Sequence, residues 1–211
     1  AAQPRLPMVL RAPLVANEIV SNTSPGFRKD FVVSDKATLN FSLDGARLFM
    51  GAAPPADPEK SADEELPADE KVSLDLWHWK DDYIQSIQKV RAEQERGRSY
   101  RAVYVVKDKK FVQLADEKME QVNLSNDGRF GIGRDDRSYR VTNDFDPGVS
   151  DVFLVNTVDG TRKQIGQRQR FGTSLSPNAK YAVYFDGKDW NSYSVAAGRT
   201  DPDGRLRTWT V

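Results

Sequence analysis

The sequence contains no cysteine, which removes disulfides, thiolate nucleophiles and cysteine-ligated zinc together. It contains one histidine, His78, and a lone histidine is a poor start for a zinc site. No apolar run approaches the ~20 residues that a membrane-spanning helix needs. Neither sign of charge is in excess: Lys plus Arg and Asp plus Glu number 31 each, so a global basic field for nucleic acid is absent. The opening AAQPRLPMVLRAPLV has neither an initiator Met nor the long apolar stretch of an intact signal peptide. With 38% hydrophobic and 10% aromatic residues, the chain can build a core, which excludes a wholly disordered polypeptide.

What is present is one pattern written three times. Residues 40–51 read NFSLDGARLFMG, 123–134 read NLSNDGRFGIGR and 174–185 read SLSPNAKYAVYF. Each enters S-x-[DN]-[GA] from a short strand, turns, and leaves on an alternating strand. The clearest unit runs from 122 to 166: VNLS, the turn at 126–128, RFGIGR, a polar loop, DVFLVNT, a hairpin signal VDG at 158–160, and TRKQIG. Four short strands in about 45 residues match one blade of a β-propeller in length and strand count. The unit from 173 repeats this order with TSLS, PNA, KYAVYFDG, WNSYSV and RLRTWTV. Ser42 precedes Ser125 by 83 residues and Ser125 precedes Ser176 by 51, so the first unit holds 32 extra. Two segments account for them. Residues 54–71 are acidic and Pro-rich and read as a mobile surface loop. In 81–98, Tyr83, Ile84, Ile87 and Val90 share a helical face and Gly97 marks the stop, which predicts a short helix near 83–96.

The chain therefore reads as mostly β: a partial β-propeller of about three four-stranded antiparallel blades with one inserted short helix. Residues 1–33 form an N-terminal arm, with 14–33 suited to the end of a preceding blade. Residues 34–116, 117–170 and 171–211 form the three blades, the last with room for an incomplete fourth strand. A lone blade cannot bury both faces, and stacking supplies the second. The expected core is Phe41, Leu48, Phe49, Leu124, Phe130, Ile132, Leu175, Tyr181, Val183 and Tyr184. The alternative is a β-sandwich with chance turn similarity, in which the repeated strands share one sheet. Ala179 stands where the other turns have Gly, so its turn is expected to need no positive φ.

FSLDGARLFMGAAP, SLDLWHWKDDYIQSIQKVRAEQERGRSYRAVY, KFVQLAD, SDVFLVNTVDGTRKQI and FGTSLSPNAKYAVYFD together resemble the N-terminal propeller of large bacterial peptidases of the prolyl oligopeptidase family. The resemblance covers residues 25–197, and its most specific part is WHWKD, then a Gln/Arg-rich helix, then SYRAVY. It implies a propeller that caps an α/β-hydrolase domain, whose serine sits in a G-x-S-x-G elbow followed by Asp and His. This chain has no such elbow, and its one histidine lies in the repeat region. The implied role is thus a non-catalytic propeller segment that gates access to, and scaffolds, a hydrolase domain outside this chain. The implied partners are that hydrolase domain, in the same or a partner chain, and a peptide passing the propeller. Nucleic acid, a membrane span, a cofactor and a bound metal are not expected, and a periplasmic or secreted setting is. A stand-alone propeller module that binds protein or glycan is the alternative. A calcium-stabilised structural domain is a third reading.

WHWKD (77–81) reads as a strand whose Trp77 and Trp79 pack between blades, or as an aromatic surface that grips a peptide or partner domain. NDFDPGVSD places Asp144, Asp146 and Asp151 around Gly148, a loop able to wrap calcium but lacking the distal glutamate of an EF-hand; DPDG at 201–204 is a weaker case. Glu64, Glu65, Asp69 and Glu70, and Glu93 and Glu95 on the helix, lack the flanking aromatic of the aminopeptidase glutamate motif and read as solvated charge. RKQIGQRQR (162–170) reads as a solvated strand and loop.

Overall fold

The computed structural model describes residues 17–55, 76–142 and 145–200. Three antiparallel sheets carry the fold. In the first, β1 (Val32–Val33) and β2 (Asn40–Phe41) lie end to end along one edge of β3 (Arg47–Ala53). After α1 (Gln85–Arg96), β4 (Tyr100–Val105) pairs with β3, and β5 (Lys110–Gln113) with β4. The second sheet is a four-stranded meander of β6 (Gln121–Leu124), β7 (Phe130–Asp135), β8 (Ser150–Asn156) and β9 (Arg162–Gln169). A 3-10 helix at Arg137–Thr142 lies in the β7–β8 connection. The third sheet repeats the meander with β10 (Thr173–Leu175), β11 (Tyr181–Phe185), β12 (Trp190–Ser194) and β13 (Arg199–Thr200). The repeated strands β3, β7 and β11 lie in three separate sheets, which removes the sandwich alternative.

The sheets stack through side chains that alternate along β8. Val155 and Phe153 join Val122 and Leu124 against the first sheet, while Val152 and Leu154 join Ile132 against Ala182 and Tyr193 of the third. A strand buried on both faces is why Val152, Phe153, Leu154 and Val155 are consecutive apolar residues, and each such side chain, when fully buried, contributes ~1.5–3 kcal/mol. The glycines of FGIGR make room within the second sheet: a Cβ on Gly131 would lie 2.6 Å from Val122 Cγ1 of the neighbouring strand β6. Polar bonds stitch the layers. Arg162 reaches Asp116 and the Leu114 carbonyl, at 3.0 and 2.8 Å, and Lys163 reaches the Gly198 carbonyl at 2.8 Å.

Several expectations are corrected. Val32–Val33 belongs to the first sheet, paired with Ala52–Ala53, rather than to a preceding blade. The segment before it covers the outer face of that sheet, with Phe27 4.6 Å from Phe111 and Phe31 5.5 Å from Tyr100. Of the expected core, Leu48, Phe49 and Ile132 are buried, and Leu124, Phe130, Leu175, Val183 and Tyr184 are partly so. Phe41, on the edge strand β2, is 67% exposed, and Tyr181, on the outer face of the third sheet, is 47% exposed. Alternation located both strands but could not say that these faces have no neighbour. The predicted helix forms, yet it buries none of its residues, and Val90 lies in solvent. Most of the acidic segment 54–71 lies outside the described residues, as does 201–211.

Candidate functional site: the rim built by two insertions

The three signature turns set the orientation of the sheets. In each, the Ser carbonyl accepts from the amide three residues on: Gly45, Gly128 and Ala179, at 2.9, 2.9 and 2.8 Å. In each, the Ser amide donates to the carbonyl five residues on, and the Ser hydroxyl donates to the Asp or Asn at the third position, at 2.5, 2.6 and 3.1 Å. That carboxyl or amide oxygen also accepts the amide two residues after it. The last turn residue has a left-handed φ of 67°, 66° and 53°, so Ala179 takes the same conformation as the glycines, contrary to expectation. The turn's bonds and the burial of the Ala179 side chain stand against about 1–2 kcal/mol of Cβ strain. The three turns meet around one cavity of about 460 Å³ lined by Leu43, Asn126, Pro177 and their Asp or Asn neighbours.

The connections that follow β3 and β7, residues 54–99 and 136–149, are the two insertions. Arg140, in the 3-10 helix of the second, joins them. Its guanidinium donates to Asp82 at 3.0 Å, to Glu120 at 2.8 Å and to Asp136 at 2.8 Å. Glu120 also takes Arg98, 2.8 Å away, and Arg98 in turn pairs with Glu95. Burial works against the charge on Arg140, and its three carboxylates more than offset that, holding its pKa above the ordinary arginine value. Hydrogen bonds from Arg98 hold the Glu95 carboxyl below its usual range. Tyr83 lies between Arg91 and Arg140, 4.4 and 5.4 Å from their guanidinium carbons. The helix is thus pinned by charge and a ring rather than by an apolar face.

WHWKD is not a strand. The Asp81 carboxylate accepts the His78 amide at 2.8 Å, the Asp81 amide returns to the His78 carbonyl at 2.9 Å, and His78 Nδ1 accepts the Lys80 amide at 3.1 Å. These local bonds close a turn that leaves Trp77 66% and Trp79 77% exposed, so neither packs between blades. With Leu76, Ile84, Val141 and Phe145, also exposed, they give the two insertions an apolar rim. Periodicity misread the tryptophans. The signal that could have found them is Asp81 three residues after His78, a turn-closing spacing.

The other candidates resolve as structure. Asp146 pairs with Arg168 and Arg170, and Asp151 accepts the Tyr139 hydroxyl at 2.7 Å and the Arg168 amide at 2.9 Å. Asp144 and the acidic residues 64–70 lie outside the described residues, and among the described residues no three ligand side chains gather to hold a metal. Glu93 and Glu95 pair with Arg96 and with Arg91 and Arg98. In the 162–170 cluster, Arg162, Arg168 and Arg170 are ion-paired. No helix among the described residues is long and apolar enough to cross a membrane.

Three antiparallel sheets stacked face to face, two of four strands and one of five in which two short strands share an edge, with like turns gathered around one cavity, define a partial β-propeller. No protein-family model matches the chain, and no curated protein does. Among solved structures it is similar to TolB from Acinetobacter baumannii, at 13% identity and a TM-score of 0.34, over 78% of this chain and 31% of that one. It is similar also to a putative TolB from Agrobacterium tumefaciens, at 13% identity and a TM-score of 0.32, over 81% of this chain and 67% of that one. The chain thus spans under a third of the length of the first of these.

Proposed function

We propose that this chain is the propeller segment of an exported, periplasmic or secreted serine peptidase of the prolyl oligopeptidase kind. It scaffolds an α/β-hydrolase domain and restricts which peptides reach it. The observation that carries the reading is the rim: two insertions locked by Arg140 present Trp77, Trp79, Ile84, Val141 and Phe145 to solvent. Large apolar side chains grouped at one end of a propeller serve contact with another protein surface, and the hydrolase domain is the occupant this reading assigns. WHWKD and the helix, from the order that carries the family resemblance, belong to this same rim, and SYRAVY leads from it into β4.

The test is the mass and composition of the protein purified natively from its source, followed by Trp77→Ser/Trp79→Ser. The reading expects a hydrolase domain in the same chain or in a tight complex. It expects the double substitution to loosen that association by tenfold or more, on the order of 1.4 kcal/mol. A solitary propeller with no hydrolase partner would contradict it. Such a product would support the stand-alone binding module instead, for which the same exposed tryptophans would be the contact surface.

A further inference from the structure

A cavity of about 410 Å³ lies between α1 and the second sheet, at the start of β6 and the end of β7. Its wall includes Arg91, Gln94, Gln121, Arg134 and Ser150, together with Glu120 and Asp136. The two carboxylates are already engaged: Glu120 by Arg140 and Arg98, and Asp136 by Arg140. Arg134 is different. Its Nη2 donates to the Phe171 carbonyl at 2.5 Å, and no carboxylate among the described residues pairs with it. Ser150 is 4% exposed, and its hydroxyl is sealed from solvent, so it does not open onto the cavity. Gln94 and Gln121 add exposed side-chain amides that engage no group among the described residues. The wall thus holds one partly buried cation without a carboxylate partner among the described residues, flanked by two amides able to donate.

We infer that this cavity binds the oxyanion of a small organic ligand, a carboxylate or a phosphate, with Arg134 as the charged anchor and Gln94 and Gln121 as neutral donors. A planar guanidinium matches both anions through paired N–H donors. The volume is that of a ligand pocket and exceeds what a bare ion fills, which is why the anion is assigned to a larger molecule. A partly buried guanidinium held by one carbonyl and by no carboxylate among the described residues costs stability, and a bound oxyanion supplies the missing charge. Burial depresses the proton affinity of Arg134, as expected for a cation held without its counter-charge. The inference is independent of the peptidase reading, because every group it names lies in this chain.

Calorimetric titration of the purified chain at low salt tests it, with tri-alanine bearing a free carboxylate, tri-alanine amide, and inorganic phosphate as probes. Saturable binding of tri-alanine or of phosphate is expected, and which of the two binds identifies the source of the anion. The amide should bind at least about tenfold more weakly than the free carboxylate, and Arg134→Gln should abolish binding of whichever anion binds. Gln94→Ala/Gln121→Ala should weaken it severalfold, and Arg129→Gln at the opposite end should leave it unchanged. Because Arg134 lacks a counter-ion, Arg134→Gln should melt at or above the parent temperature, which separates lost binding from lost folding. No saturable binding of either anion, equal binding of the amide, or unchanged binding by a folded Arg134→Gln protein would overturn the inference.

Discussion

At the scale of single residues, the signature turns show how much a four-residue pattern specifies. Ser, Asp or Asn, and a left-handed residue recur because each completes a bond that the others need. The Ser hydroxyl and the following amides converge on one side-chain oxygen. This was legible in the sequence because every partner lies within five residues. The left-handed Ala179 was not, since Cβ strain can be met by bonds that the turn already makes. Gly45 and Gly128 separate strain from packing. A Cβ on Gly45 meets nothing within 4 Å, whereas on Gly128 it would lie 2.8 Å from Phe49 Cζ and 3.2 Å from Ser42 Cβ. Gly45→Ala should cost about 1 kcal/mol in urea unfolding, and Gly128→Ala a further 1–3 kcal/mol or so from overpacking. Equal costs would contradict the contact between these two turns.

The same residues set a pH dependence. The Ser42 hydroxyl and the Ala46 amide hold the Asp44 carboxyl below its usual range. For Asp127, burial pushes the other way, and the Ser125 hydroxyl with the Arg129 amide and guanidinium outweighs it. A carboxyl depressed in the folded state stabilises fully above its unfolded value, near ~3.9, and that stability is lost as pH falls through the folded value. Stability should therefore fall below about pH 4. Asp44→Asn/Asp127→Asn should flatten that fall, because the third turn already works with the uncharged Asn178. Urea titrations at several pH values below about 5 check this, and an unaltered slope in the double variant would contradict it.

At the scale of elements, the helix and the tryptophan turn show where pattern and packing part. The spacing of Tyr83, Ile84, Ile87 and Val90 located a helix, yet α1 is held by Arg140, Arg91 and Tyr83 and buries no side chain. Periodicity reports that one face differs from another; it does not report what lies opposite. Beyond the local Asp136, Arg140 draws its partners from positions 58 and 20 residues away, which no local pattern could announce. Arg140→Met should cost about 2 kcal/mol in unfolding, the scale of charged hydrogen bonds lost with their carboxylates left behind. It should also raise the exchange rate of the amides of 85–96 more than those of β8, by hydrogen exchange. Uniform loss of protection would mean the helix is anchored elsewhere.

At the scale of the whole molecule, the three sheets stand because each supplies the face that its neighbour lacks, and β8 shows it most directly by packing both ways. The number of sheets and the strand order were legible from the repeat, whereas the covering of the first sheet by Phe27 and Phe31 was not, since it joins residues 84 and 69 positions apart. The proposed role also predicts chemistry. A nucleophile needs a base and oxyanion donors, and the only histidine, His78, accepts the Lys80 amide at Nδ1 in an exposed turn. The chain alone should give background turnover with an activated ester and with a proline-containing peptide. Turnover abolished by His78→Ala would contradict this.

The central claim is that three stacked blades bring equivalent turns around one cavity. With no native cysteine, spin labels can be placed in pairs at Leu43, Asn126 and Pro177, which are exposed and line that cavity together. Electron paramagnetic resonance should then give three short distances, each below about 20 Å. Equivalent positions in one continuous sheet, at ~4.8 Å per strand and four strands per unit, would instead stand ~19 Å apart for neighbouring units and ~38 Å apart for the outer pair. A Leu43–Pro177 distance near the larger value would contradict the stacked arrangement, and one comparable to the other two pairs is what it predicts.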